Sequence, residues 1–151
     1  MTAANLGILL AEDDPDEVFF LEEAFSQIGM SGALRVVQDG EEALEYLQGH
    51  GVHADRRLYP LPSLILLDLT LPRKSGLEVL AWCRRQPGLK SIPIIMLSSS
   101  QSNRDLERAY ELGANSCLVK PIVAAEQLEM VKVICKYWVV LNKVPDIAIP
   151  R

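Results

Sequence analysis

The stretch LILLDLTLPRKSG, residues 64–76, puts a carboxylate in an unusual place. Asp68 follows Leu64, Ile65, Leu66 and Leu67 without a break, at the end of an apolar run where an ionised group is costly unless something compensates it. Unbroken rather than alternating hydrophobicity over that length reads as a strand covered on both faces. Residues 6–11, 34–37, 92–97 and 116–119 have the same character. Between these runs, residues 15–28, 40–48, 76–85, 104–112 and 124–142 carry apolar side chains at helical spacing, punctuated by Pro15, Gly29, Ser75, Gly113 and Pro121. Five strands alternating with five helices predict a parallel sheet with helices on both faces, because right-handed crossovers lay each helix against the sheet.

At 151 residues the chain fits one domain with a real core. Hydrophobic residues make up 49% and charged residues 23%, a globular composition rather than a disordered one. A net charge of −5 leaves no basic surface for a phosphate backbone, so nucleic acid is not an expected partner. The N-terminus, MTAANLGILLAEDD, lacks a basic region and meets acids early; it predicts neither signal peptide nor membrane anchor, and a cytoplasmic protein. Cys83, Cys117 and Cys135 are odd in number and far apart, which reads as buried thiols rather than disulfides or a zinc site. The long connection 49–63 reads as an exposed insertion, with His50 and His53 solvated rather than ligating metal.

In open parallel sheets the functional crevice lies beyond the carboxyl ends of the strands. Here the first run ends in Glu12 and Asp13, the third in Asp68, the fourth in Ser98, Ser99 and Ser100, and the fifth in Lys120 and Pro121. Glu12, Asp13 and Asp68 repel one another, so a cation is the natural occupant. An all-oxygen set with few protein ligands suits Mg²⁺, which often binds carboxylates together with a phosphoryl group. With Mg²⁺ and Lys120 screening the incoming charge, Asp68 can act as a nucleophile and form an acyl phosphate, and Ser98 can donate a hydrogen bond to it.

The segments ILLAEDDPDE, LILLDLTLPRKSG, IPIIMLSSS and ELGANSCLVKP together resemble the signature segments of a response-regulator receiver domain, in order and from about residue 6 to 142, with 143–151 as a tail. That resemblance implies a flavodoxin-like, doubly wound (βα)5 sheet of order 2-1-3-4-5. It also implies a two-component phosphoprotein that catalyses only its own phosphorylation and dephosphorylation. Asp68 is then the phosphoacceptor and Lys120 the phosphate-contacting lysine. Glu12, Asp13, Asp68 and the Thr70 backbone carbonyl hold Mg²⁺, Ser98 is the switch hydroxyl, and the Lys120–Pro121 bond is cis. The insertion, the DLTLPRKSGLEVL segment and the KYWVVLNKVP ending are similar to single-domain regulators paired with phytochromes and other sensor histidine kinases. No output domain is read after the last helix, so the signal is expected to leave by contact with a downstream protein that the sequence does not identify.

Two positions depart from the family pattern: Cys117 stands where the aromatic partner of the switch hydroxyl usually lies, and Ser98 replaces the commoner threonine while keeping the hydroxyl. Thr70 and Ser100 occupy the variable positions that tune hydrolysis. Neither is a strong general base, so a moderately long-lived phosphoryl state is expected. The alternatives are an Mg²⁺-dependent phosphohydrolase with an aspartyl nucleophile, opposed by Thr70 where a second Asp would stand, and a phosphorylation-independent interaction module. In the last helix, 126–143, steps of about 100° gather Glu129, Lys132, Lys136 and Lys143 into a narrow strip. The apolar arc left over exceeds what one sheet can bury. Its flank, with Met130, Val133 and Tyr137, predicts an isologous homodimer.

Overall fold

The structure, a computed structural model, describes residues 7–99 and 102–145. Strands β1 (Ile8–Ala11), β2 (Leu34–Val37), β3 (Leu64–Asp68), β4 (Ile94–Ser98) and β5 (Ser116–Val119) form one parallel sheet of order β2-β1-β3-β4-β5. Helices α1 (Pro15–Gln27), α2 (Gly40–Gln48), α3 (Gly76–Arg85), α4 (Asn103–Glu111) and α5 (Ala124–Ile134) alternate with them. The order expected from the family resemblance is the order observed. β4 opens at Ile94 rather than Ile92 because Pro93 brings no N–H to the ladder, although its carbonyl still accepts from the Ile65 N–H at 3.0 Å.

The pleat sorts each strand's apolar residues between two cores. Leu9, Ile65, Leu67 and Met96 pack with Ala43, Val79 and Leu80 under α2, α3 and α4. Ile8, Leu10, Leu66 and Leu97 pack with Leu21, Phe25 and Val131 under α1 and α5. Every residue of β3 is buried, and each Leu or Ile hidden there is worth about 1.5–3 kcal/mol. β5, at the sheet edge, is only half-buried.

Two glycines bring loops against the site-bearing strand. A Cβ on Gly76, the first residue of α3, would collide with the Asp68 carbonyl; one on Gly40 would collide with the Lys74 carbonyl. Ser75 starts α3 with a capping box shared with Glu78. The chain therefore turns back immediately after Asp68 and clamps the loop 69–75 against the N-terminus of α2.

The 49–63 insertion lies at the surface, with only His53 and Pro62 buried, and is tied to α2: the Tyr46 hydroxyl donates to the Pro60 carbonyl at 2.9 Å, and Arg56 donates to the carbonyls of Tyr46, Leu47 and Tyr59. Two expectations are corrected. His53 is buried rather than solvated, its ring 5.2 Å from Tyr46 and 5.0 Å from Tyr59, because those rings offer it apolar contact. The last helix is not α throughout. From Cys135 to Leu141 it winds as a π-helix, and the Asn142 N–H donates five residues back to the Tyr137 carbonyl at 2.7 Å. The wider turn lets consecutive Trp138 and Val139 both face the core, so 100° steps lose phase after Ile134.

Candidate functional site at the carboxyl edge of the sheet

Parallel pairing sets the ends of β1, β3 and β5 along one edge, and each delivers a charged residue there. Glu12 follows β1 and is 1% exposed; its N–H donates to the Val37 carbonyl at 3.0 Å. Asp68 closes β3 and is 6% exposed. Lys120 follows β5, and its N–H donates to the Ser98 carbonyl at 2.8 Å, so the end of β4 fixes its backbone. The ammonium then reaches three carboxylates, donating to Glu12 Oε2 at 2.8 Å and Glu17 Oε2 at 2.6 Å and standing 3.2 Å from Asp68 Oδ1.

One ammonium does not neutralise three buried or half-buried carboxylates, and the proton affinities show the excess. Burial pushes Glu12 up to about 8, reinforced by its hydrogen bond with Glu17 and by the Asp68 charge and opposed by Lys120. Burial also raises Asp68, against the pull of Lys120 and of the Thr70 N–H, which donates to Asp68 Oδ1 at 3.4 Å. Glu17 is lowered: its burial works the other way, but hydrogen bonds with Glu12 and Lys120 outweigh it. Lys120 is raised because the carboxylates override the effect of its burial. The upward shift of Glu12 marks a place where further positive charge is favoured.

Carboxylate oxygens of Glu12, Glu17 and Asp68 lie within 4.8 Å of one another. The donors are all hard oxygens, and their protonation marks a charge deficit, so this cluster fits a divalent cation of the Mg²⁺ or Mn²⁺ type. Of the residues singled out in the sequence, Glu12, Asp68 and Lys120 are brought together. Asp13 is exposed beside them and Thr70 is exposed on the following loop. Glu17 was missed. Its signal was an acid in the first turn of the helix that opens right after Glu12 and Asp13, a position from which it points back at the sheet edge.

Ser98 is half-buried at the end of β4, across a cavity of about 10 Å³ that Cys117, Met96, Leu106 and Ala109 also line. That space holds no aromatic ring, so Cys117 does not substitute by volume for the usual partner. Burial raises the Cys117 thiol, against a hydrogen bond with Tyr110. Ser100 lies outside the described residues. The Lys120–Pro121 bond is trans, not cis: no cis peptide occurs among the described residues. The two isomers of such a bond differ by only about 0.5–1 kcal/mol, so local hydrogen bonds can select either.

A doubly wound sheet with a strand-end aspartate, acidic neighbours and a buried lysine at one edge defines a phosphoryl-accepting signalling module. The chain belongs to the response regulator receiver domain family, which it matches over residues 8–132. Aspartate phosphorylation in two-component signalling is typical of that family. The chain is 37% identical over 138 residues to a probable methanogenesis regulatory protein, FilR2, of Methanothrix harundinacea, covering 91% of this chain and 86% of that one. Its backbone is similar to that of the phosphorylated cyanobacterial phytochrome response regulator RcpA, with a TM-score of 0.86, 34% identity, and 94% and 99% of the two chains covered. It is also similar to the Mn²⁺-bound form of response regulator Rcp1, with a TM-score of 0.83, 34% identity, and 93% and 99% covered. Among the described residues, no helix is long and apolar enough to cross a membrane.

Proposed function

We propose that Asp68 is the phosphoacceptor of this receiver domain, taking a phosphoryl group from a phosphohistidine of a sensor histidine kinase, of phytochrome type by likeness to RcpA and Rcp1. The observation that carries this reading is the 3.2 Å approach of the Lys120 ammonium to a buried strand-end carboxylate beside two further acids. An Asp68 oxygen attacks phosphorus, the P–N bond breaks, and the imidazole nitrogen leaves with the bonding pair. Lys120 offsets the charge gathering on the phosphoryl oxygens, and Ser98 donates to one of them. Glu12 and Asp68, with Asp13 at the rim and the Thr70 carbonyl, would hold Mg²⁺, which supplies charge neutralisation and orientation when bound. Glu17 adds a carboxylate that sequence reading had left out. Hydrolysis is slow, because Thr70 offers no general base.

The signal leaves by protein contact. Val133 is 66% exposed and Tyr137 52%, and Val140 and Leu141 of the π segment extend the same apolar surface; Met130 is half-buried and turns toward the core. A second copy of the chain covers this surface in an isologous dimer. Intact-mass spectrometry after incubation with Mg²⁺ and a small acyl phosphate tests the acceptor: wild type gains one phosphoryl group and Asp68→Asn gains none. A phosphorylated Asp68→Asn protein overturns the assignment. Sedimentation tests the dimer, which Val133→Glu and Tyr137→Glu should dissociate; a wild type that stays monomeric at tens of micromolar, phosphorylated or not, refutes it.

A further inference from the structure

Four of the five helices begin with a side chain that caps the first turn: Asp14 for α1, Asp39 for α2, Ser75 for α3 and Ser102 for α4. α5 begins with Val123, which cannot do so. The turn ahead of α5 is also poorly held by packing, since Ile122 is 97% exposed and Val123 55%. What ties α5 to the end of β5 is Gln127, one turn into the helix. Its Nε2 reaches back and donates to the Pro121 carbonyl at 2.8 Å.

That carbonyl belongs to the residue directly after Lys120. The Lys120–Pro121 pair is therefore held from two sides, by the Ser98 carbonyl accepting from the Lys120 N–H and by Gln127 donating to Pro121. Gln127 is 8% exposed, and it lines a cavity of about 10 Å³ with Glu17, Lys120, Pro121 and Met130. Its Oε1 has no protein donor. A buried amide with one end committed to the backbone beside the lysine and the other end unpaired is costly in apolar surroundings, and apolar side chains of similar size are available to that position. Helix propensity gives no reason for it either, because leucine is as good a helix former as glutamine.

We infer that Gln127 is a positioning residue that conveys the state of the phosphoryl site to α5 and its π extension, an inference that rests on the proposed phosphorylation of Asp68. A phosphoryl group on Asp68 changes the charge facing the Lys120 ammonium, which is balanced among Glu12, Glu17 and Asp68. On this inference the displacement of Lys120 reaches its own backbone and the adjoining Pro121 carbonyl, and the Gln127 bond passes it into the first turn of α5. The apolar face with Val133 and Tyr137 lies one to three turns further along the same helix, so the tie makes that face responsive to the site.

Hydrogen exchange read by mass spectrometry tests this on the full chain, with and without Mg²⁺ and beryllium fluoride. Wild type is expected to change its exchange across 124–141 on loading. Gln127→Met, which keeps the volume and removes the donor, should load with an affinity within about threefold of wild type yet lose more than half of that change. Adding Val123→Ser supplies the missing helix cap; it should restore any melting temperature lost by Gln127→Met without restoring the response. A full response in Gln127→Met, a failure of that variant to load, or a response recovered with the cap overturns the inference and leaves the acceptor reading standing. A wild type that does not load overturns both.

Discussion

β3 and β5 each end in a residue of the site, and they are built differently. β3 lies between β1 and β4, is buried at all five positions, and is locked beyond Asp68 by Gly76. β5 is the edge strand, half-buried along its length, with Val119 45% exposed just before Lys120. The acceptor thus stands on a fully buried interior strand, and the lysine that senses it follows an edge strand paired on one side only. Chemistry needs a fixed carboxylate, whereas signalling needs a partner that can move.

Truncation in the two strands sharpens this contrast and gives the largest effects. Leu66→Ala in β3 opens a cavity under a fully buried side chain and should cost about 2–5 kcal/mol, whereas Leu118→Ala in β5 should cost about half as much. Urea unfolding measures both, and equal losses would break the contrast between rigid and yielding strands.

The charge of the site gives the next effect. Glu12 titrates near 8 in the fold against 4.5 unperturbed, so the metal-free protein binds a proton that the unfolded chain releases. Its contribution to stability is complete below about pH 4.5 and is lost as pH rises through about 8. Glu17, lowered, changes stability only at the acid end of that window, and Lys120, raised, only above its ordinary value of 10.5. Metal-free melting temperatures should therefore fall between pH 5 and 8. A divalent cation must displace the same proton, so its affinity should rise by up to about tenfold per pH unit up to about pH 8. Calorimetric titration of Mg²⁺ at pH 6.5 and 8 checks this; an affinity independent of pH would place the cation away from Glu12.

Smaller effects separate the rim from the switch. Asp13→Asn should weaken Mg²⁺ several-fold and slow phosphorylation, because Asp13 is exposed and contributes through charge more than through burial. Ser98→Ala should leave Mg²⁺ affinity within about twofold while reducing the conformational response on phosphorylation, since the proposed role of the hydroxyl is to donate to the phosphoryl group and not to ligate the cation. Fluorescence titration of both variants distinguishes them, and equal losses would exchange their roles.

The sheet and the acceptor edge were legible in the sequence because unbroken apolar runs ending in polar residues carry both the strand period and the strand direction. Glu12, Asp68 and Lys120 could be read for that reason. Glu17 could not: on α1 it reads as an ordinary first-turn acid, and only in the fold, where α1 packs against α5, does the Lys120 side chain reach it. His53 was misread because its burial depends on Tyr46 and Tyr59, brought together by hydrogen bonds within the insertion. The π winding after Ile134 was not read because the segment is apolar almost all round, which hides the shift of phase that brings consecutive Trp138 and Val139 to the core. Gln127 was passed over because a polar residue in an amphipathic helix normally faces water.

On the proposed mechanism the phosphoryl group is carried on Asp68 and on no other carboxylate of the edge. Borohydride reduction of the phosphorylated protein, followed by peptide mapping, converts an aspartyl phosphate into homoserine and marks the residue that held it. Homoserine is expected at position 68 alone, formed only when Mg²⁺ and the phosphoryl donor are both present. Homoserine at position 13, a reduced glutamate at position 12 or 17, or an unmarked position 68 in protein whose mass shows phosphorylation would contradict it.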